Sequence, residues 1–69
     1  MPLTFVRPGE RRAVTRLGGP EEMKNRLLAM GFTVGSEVKV VAELAGNLIV
    51  AVKDSRLAIS REMANRILV

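Results

Sequence analysis

Two glycines, Gly31 and Gly35, stand between a helix-period stretch and a strand-period stretch, and they leave the backbone between them little choice of path. Arg26-Leu27-Leu28-Ala29-Met30-Gly31 reads as a helix C-terminus. Helices commonly end on a left-handed residue, a conformation that costs a side-chain-bearing residue energy and glycine almost none. Phe32 follows at the position whose apolar side chain folds back onto the last turn. Gly35 then turns the chain into Val38, Val40 and Ala42, which alternate with Glu37, Lys39 and Val41 like the two faces of a strand. The stretch predicts a helix packed against a small β-structure.

The helix begins after Gly18-Gly19-Pro20, with Pro20 in its first turn, where no amide hydrogen is missed. Glu21 and Glu22 favour the positive end of the helix dipole. Met23, Leu27 and Met30 fall on one face, Leu28 broadens it, and Lys24, Asn25 and Arg26 lie away from it. A methionine-bordered stripe serves as core or as an adaptable partner-binding face, and core is the preferred reading.

The remaining segments read as short strands. Pro8-Gly9 is a turn after an apolar lead-in of Leu3 and Phe5, and Arg11 to Leu17 forms a first strand with imperfect alternation. Ser36 to Glu43 and Leu48 to Lys53 are joined by a hairpin at Leu44-Ala45-Gly46-Asn47. Asp54-Ser55 turns the chain into Arg56 to Ile59, Ser60 caps a single helical turn, and Ile67 to Val69 close as a last strand. One main helix between the first and second of about five short strands makes the chain mainly β, a single domain over residues 1–69. The expected architecture is a small, partly open β-barrel of the SH3-like type. A 48% hydrophobic content with two Phe and no Trp or Tyr supplies a core of small, branched pieces.

Several chemistries find no residues to carry them. There is no Cys and no His, so disulfides and the usual zinc ligands are missing, and no cofactor or metal site is expected. Hydroxyls such as Thr4, Thr15, Thr33 and Ser55 have no base at a useful spacing, and Gly18-Gly19-Pro20 lacks the Lys-Ser/Thr of a phosphate-binding loop. Only Glu21 and Glu22 are adjacent acids, and neighbouring helical residues point about 100° apart, too far for a chelate. The chain is read as a non-enzyme. Eleven Lys and Arg against seven Asp and Glu give a net charge of +4, scattered along the chain and densest at Arg11, Arg12 and Arg16. Solvated surface is the preferred reading, with an electrostatic site for an acidic partner or phosphate as the alternative. Single-stranded nucleic acid needs exposed aromatics for stacking, and Phe5 and Phe32 both fall at positions expected to be packed. No apolar run approaches the roughly 18 residues of a membrane span. With no secretory signal either, a cytoplasmic location and no membrane insertion are expected.

The order of these residues closely resembles the FeoA family of small cytoplasmic proteins linked to bacterial ferrous iron uptake. Leu3, Pro8-Gly9, Val14 and Leu17-Gly18 match its leading pattern. Leu27, Met30-Gly31, Gly35, Val38 and Val40 match its centre, and Ile49 to Val52, Leu57-Ala58-Ile59, Ala64, Ile67 and Val69 match its close. Departures include Val34 where the family usually has Pro, the short loop Ala45-Gly46-Asn47, and Ile59 in place of a leucine. The resemblance implies a regulatory subunit that docks on the cytoplasmic, GTPase-bearing part of the transporter FeoB. Similar barrels also form the C-terminal module of iron-dependent repressors. On this reading Arg26, Met30, Phe32 and Val34 are the expected partner-binding residues, and Gly9, Gly18, Gly31 and Gly35 the structural turns. An Arg26 or Arg56 finger acting on the GTPase is conceivable, with solvated surface charge the preferred reading of both. Other readings are a nucleic-acid-binding barrel and a self-associating module pairing through a free edge of Ile67 to Val69.

Overall fold

The computed structural model describes residues Met1–Val69, and its buried apolar side chains form one shared interior. Strands β1 (Arg11–Ala13), β2 (Arg16–Leu17), β3 (Glu37–Leu44), β4 (Asn47–Val52), β5 (Ser55–Ser60) and β6 (Ile67–Leu68) are joined by helix α1 (Glu21–Ala29) and the single turn α2 (Arg61–Ala64). They form a four-stranded antiparallel sheet in the order β1-β3-β4-β5 and a two-stranded sheet, β2-β6. The two sheets do not close into a full barrel. Val38, Val40, Val50, Val52 and Ile59 line the inner face of the larger sheet, and Leu27 and Phe32 cover it from α1 and its exit.

The expected first strand is two strands. Ala13 is exposed and Val14 buried, and at that point the chain leaves one sheet for the other. Val14 N–H donates to Ser36 C=O at 2.8 Å, still beside β3, whereas Thr15 N–H donates to Leu68 C=O at 2.8 Å, beside β6. The imperfect alternation of Arg11 to Leu17 reflects this corner. As a result α1 lies between β2 and β3 rather than between the first and second strands. Pro20 sits just before the helix at φ −61°, ψ 154°, where it accepts from Lys24 N–H instead of forming the first helical residue.

Two hairpins order the meander β3-β4-β5. Leu44 pairs with Asn47, so Ala45 and Gly46, both at positive φ (51° and 80°), make a two-residue turn whose twist matches the strands. Val52 pairs with Ser55, so the second turn is Lys53-Asp54 and not Asp54-Ser55. A bulge falls between Val40 and Ala42, where Val41 is the extra residue. Ser60 caps α2 as expected, its Oγ accepting from Met63 N–H at 3.1 Å.

Leu3 to Phe5 form a 3₁₀ turn. Positions three apart eclipse in such a turn, so Leu3 and Val6 both point inward. Phe5 falls on the other side and is 69% exposed, against the expectation that it packs. The edge expected to be free on the last strand is also occupied. β6 pairs with β2 on one side, and on the other Pro2 bridges Leu68 while Val69 N–H donates to Met1 C=O at 2.7 Å. Pairing with a second copy through Ile67 to Val69 would have to displace that contact. No helix is long and apolar enough to cross a membrane.

Candidate partner-binding surface

The end of α1 is fixed by two hydrogen bonds. Gly31 N–H donates to Leu28 C=O at 3.0 Å and Phe32 N–H donates to Leu27 C=O at 3.0 Å, the crossed pair of a Schellman cap. Gly31 takes φ 104° to make it. Leu27 and Phe32 are both fully buried in the common core, which seats the apolar contact that such a cap needs. Four residues later Ser36 N–H donates to Thr33 C=O at 2.9 Å, with Gly35 at φ 91° in the third place of the turn. That geometry demands glycine there and puts Val34 at the outer corner.

These constraints sort the four expected partner-binding residues. Arg26 is exposed on the helix and Val34 is 68% exposed on the turn. Met30 is half-buried against the core, at the boundary of the surface. Phe32 is fully buried and contacts no partner from where it stands; its place in the cap sends it inward. Leu28, 46% exposed, is the apolar side chain that the last turns of α1 leave outside. Leu28 widens the helix stripe beyond what one buried face can hold, and that width was the available signal. On the flank of α1, Pro20, Glu22, Met23 and Arg26 line a shallow depression of about 160 Å³.

Of the four expected turn glycines, Gly9, Gly31 and Gly35 have positive φ, whereas in the Gly18-Gly19 pair the left-handed residue is Gly19. Gly18 serves instead as a ladder position, its N–H donating to Arg66 C=O at 2.7 Å. A second depression, of about 280 Å³, lies on the far side beneath the exposed Phe5, between Pro8, Leu48 and the ion pair of Arg61 with Glu43. No three His, Cys, Asp or Glu side chains converge anywhere.

The FeoA domain model matches residues 1–69. A protein of Methanocaldococcus jannaschii named for Fe(2+) transport is 35% identical over 68 residues, covering 99% of this chain and 83% of that one. The crystal structure of an iron uptake regulatory protein (FeoA) superposes with a TM-score of 0.89 at 28% identity, over 97% of this chain and 91% of the other. FeoA of Stenotrophomonas maltophilia, described with zinc as a procaryotic SH3 domain protein, gives a TM-score of 0.86 at 26% identity, over 99% of this chain and 87% of the other.

Proposed function

The chain belongs to the FeoA domain family, and from that premise we propose that it is an accessory protein of ferrous iron uptake that docks on the cytoplasmic, GTPase-bearing part of a FeoB-type transporter. The observation that supports the docking surface is a cation, Arg26, and an exposed apolar corner, Val34, both displayed at the C-terminal end of α1. Arg26, Leu28 and Val34 project from backbone held by the Schellman cap and the glycine turn. A rigid surface loses little conformational freedom on binding, so its contacts are not spent on ordering. The cation steers an acidic partner and the apolar groups supply burial. Its place of action on this reading is the cytoplasm.

Titration calorimetry of this chain against the soluble domain of its own FeoB, with and without a GTP analogue, tests the proposal. Saturable binding is expected. Arg26→Ala together with Val34→Ala should weaken it by about tenfold or more, as loss of an interface anchor does. Both side chains are exposed, so the fold should be kept, and an unchanged melting temperature verifies that. Unchanged affinity in the double variant would move the docking surface elsewhere. Absence of binding by calorimetry and by an independent signal would remove this partner.

A further inference from the structure

The outer face of the four-stranded sheet carries a concentration of positive charge that the surface at α1 does not use. Inner positions alternate with outer ones, so the burial of Val38, Val40, Val50 and Val52 turns Glu37, Lys39 and Ala51 outward. The strand register then lines up one row across all four strands. Arg11 pairs with Lys39, Lys39 with Ala51, and Ala51 with Arg56. With strands about 4.8 Å apart, this row spans about 14 Å. Lys53, at the adjoining hairpin, adds a fourth cation.

Arg11, Glu37, Lys39, Ala51 and Lys53 line an open depression of about 230 Å³, floored by the small side chain of Ala51. The acids nearby do not neutralise it. Glu37 reaches Arg11 only at 3.9 Å with both side chains well exposed, a weak pairing in water, and Asp54 stands at the hairpin tip. One further feature selects the ligand. The chain's two aromatic residues are elsewhere, Phe32 inside the core and Phe5 on the 3₁₀ turn, so the face offers no platform for stacking a nucleobase.

We propose that this face binds an extended acidic segment of another protein, which lies across the strands and sets its carboxylates against Arg56, Lys39, Lys53 and Arg11. Successive carboxylates of such a segment meet successive cations of the row, and complementary charge steers the encounter and fixes the register. The inference does not depend on the reading of the α1 surface, since it concerns different residues and needs no particular transporter.

The test is a backbone-amide NMR titration of the whole chain with a synthetic Glu-rich peptide, with inorganic phosphate and a thymidine oligonucleotide as parallel arms. Saturable shifts are expected at Arg11, Lys39, Ala51 and Arg56 with the peptide, weakening as salt screens the charges. Lys39→Glu with Arg56→Glu should reduce peptide affinity by about tenfold or more. Arg16→Glu with Arg66→Glu, the same change in net charge off this face, should leave it nearly unchanged. A Lys39→Gln, Arg56→Gln pair repeats the measurement should the charge reversals disturb folding. Equal losses in both charge-reversal pairs, shifts absent from β5, or tighter binding of the oligonucleotide or of phosphate than of the peptide would each overturn the proposal.

Discussion

Replacing Gly31 with alanine adds a methyl group that its surroundings accept, since the new Cβ would lie 3.8 Å from Lys53 Cδ and 3.9 Å from Val52 Cγ1, ordinary contacts. The cost is conformational. A side-chain-bearing residue held at positive φ loses about 1–2 kcal/mol, and for a chain of this size each kcal/mol lowers Tm by about 4–8 °C. A thermal melt of Gly31→Ala followed by circular dichroism should show that drop; an unchanged Tm would mean that α1 does not end on this cap. Gly31 and Gly35 were legible in the sequence because left-handed backbone leaves a mark in residue type. The two phenylalanines were not separable in the same way. Both are large and apolar, yet Phe32 follows a cap that drives it inward while Phe5 sits one position off the inward pair of a 3₁₀ turn. Local periodicity that short gives no pattern to read for Phe5, whereas Phe32, expected to pack at the cap, entered the expected binding site through its place in the loop after α1.

The short element before β1 depends on a carboxylate. Arg7-Pro8-Gly9-Glu10 closes by Glu10 N–H donating to Arg7 C=O at 3.0 Å, and Glu10 Oε1 accepts in return from Arg7 N–H at 2.9 Å. That backbone hydrogen bond holds the Glu10 pKa below the ordinary carboxylate range; partial desolvation opposes it, and the Arg12 guanidinium adds to the lowering. A group that binds its proton less readily when folded stabilises the fold above its unfolded pKa, and the contribution fades as pH falls through the lowered folded value. Glu10→Gln should therefore melt at a lower temperature than the parent chain at neutral pH, and the gap should close in acid. A gap of constant size from neutral to acid pH would assign it to packing and not to charge. Among the elements, the meander was legible because turn signals bracket runs of β-forming residues, whereas the bulge at Val41 and the placement of the second turn at Lys53-Asp54 were not. The corner at Val14-Thr15 was not, since a strand that changes sheets keeps its extended backbone and changes only its partners, which residue type does not encode.

At the scale of the molecule, composition and element order pointed to the small, partly open mainly β architecture, and sequence-distant pairing supplied what they left out. Met1 and Val69 exchange hydrogen bonds across a sequence separation of 68 residues, and β2 reaches β6 through the same seam. The proposed partner surfaces were legible only as residue types, because exposure is decided by which side of an element the rest of the fold happens to cover. The seam also divides the molecule in time. Neighbouring strands of the meander meet through two-residue turns, whereas the seam must close nearly the whole chain, and closing a longer loop costs more entropy. The meander is then expected to assemble early and the seam last. Val50→Ala, within the meander, should chiefly slow refolding, and Ile67→Val, at the seam, should chiefly speed unfolding. Stopped-flow circular dichroism distinguishes the two limbs, and the opposite assignment would place the seam in the folding nucleus. A chain sewn in this order comes undone from the seam first, while its central strands are still paired.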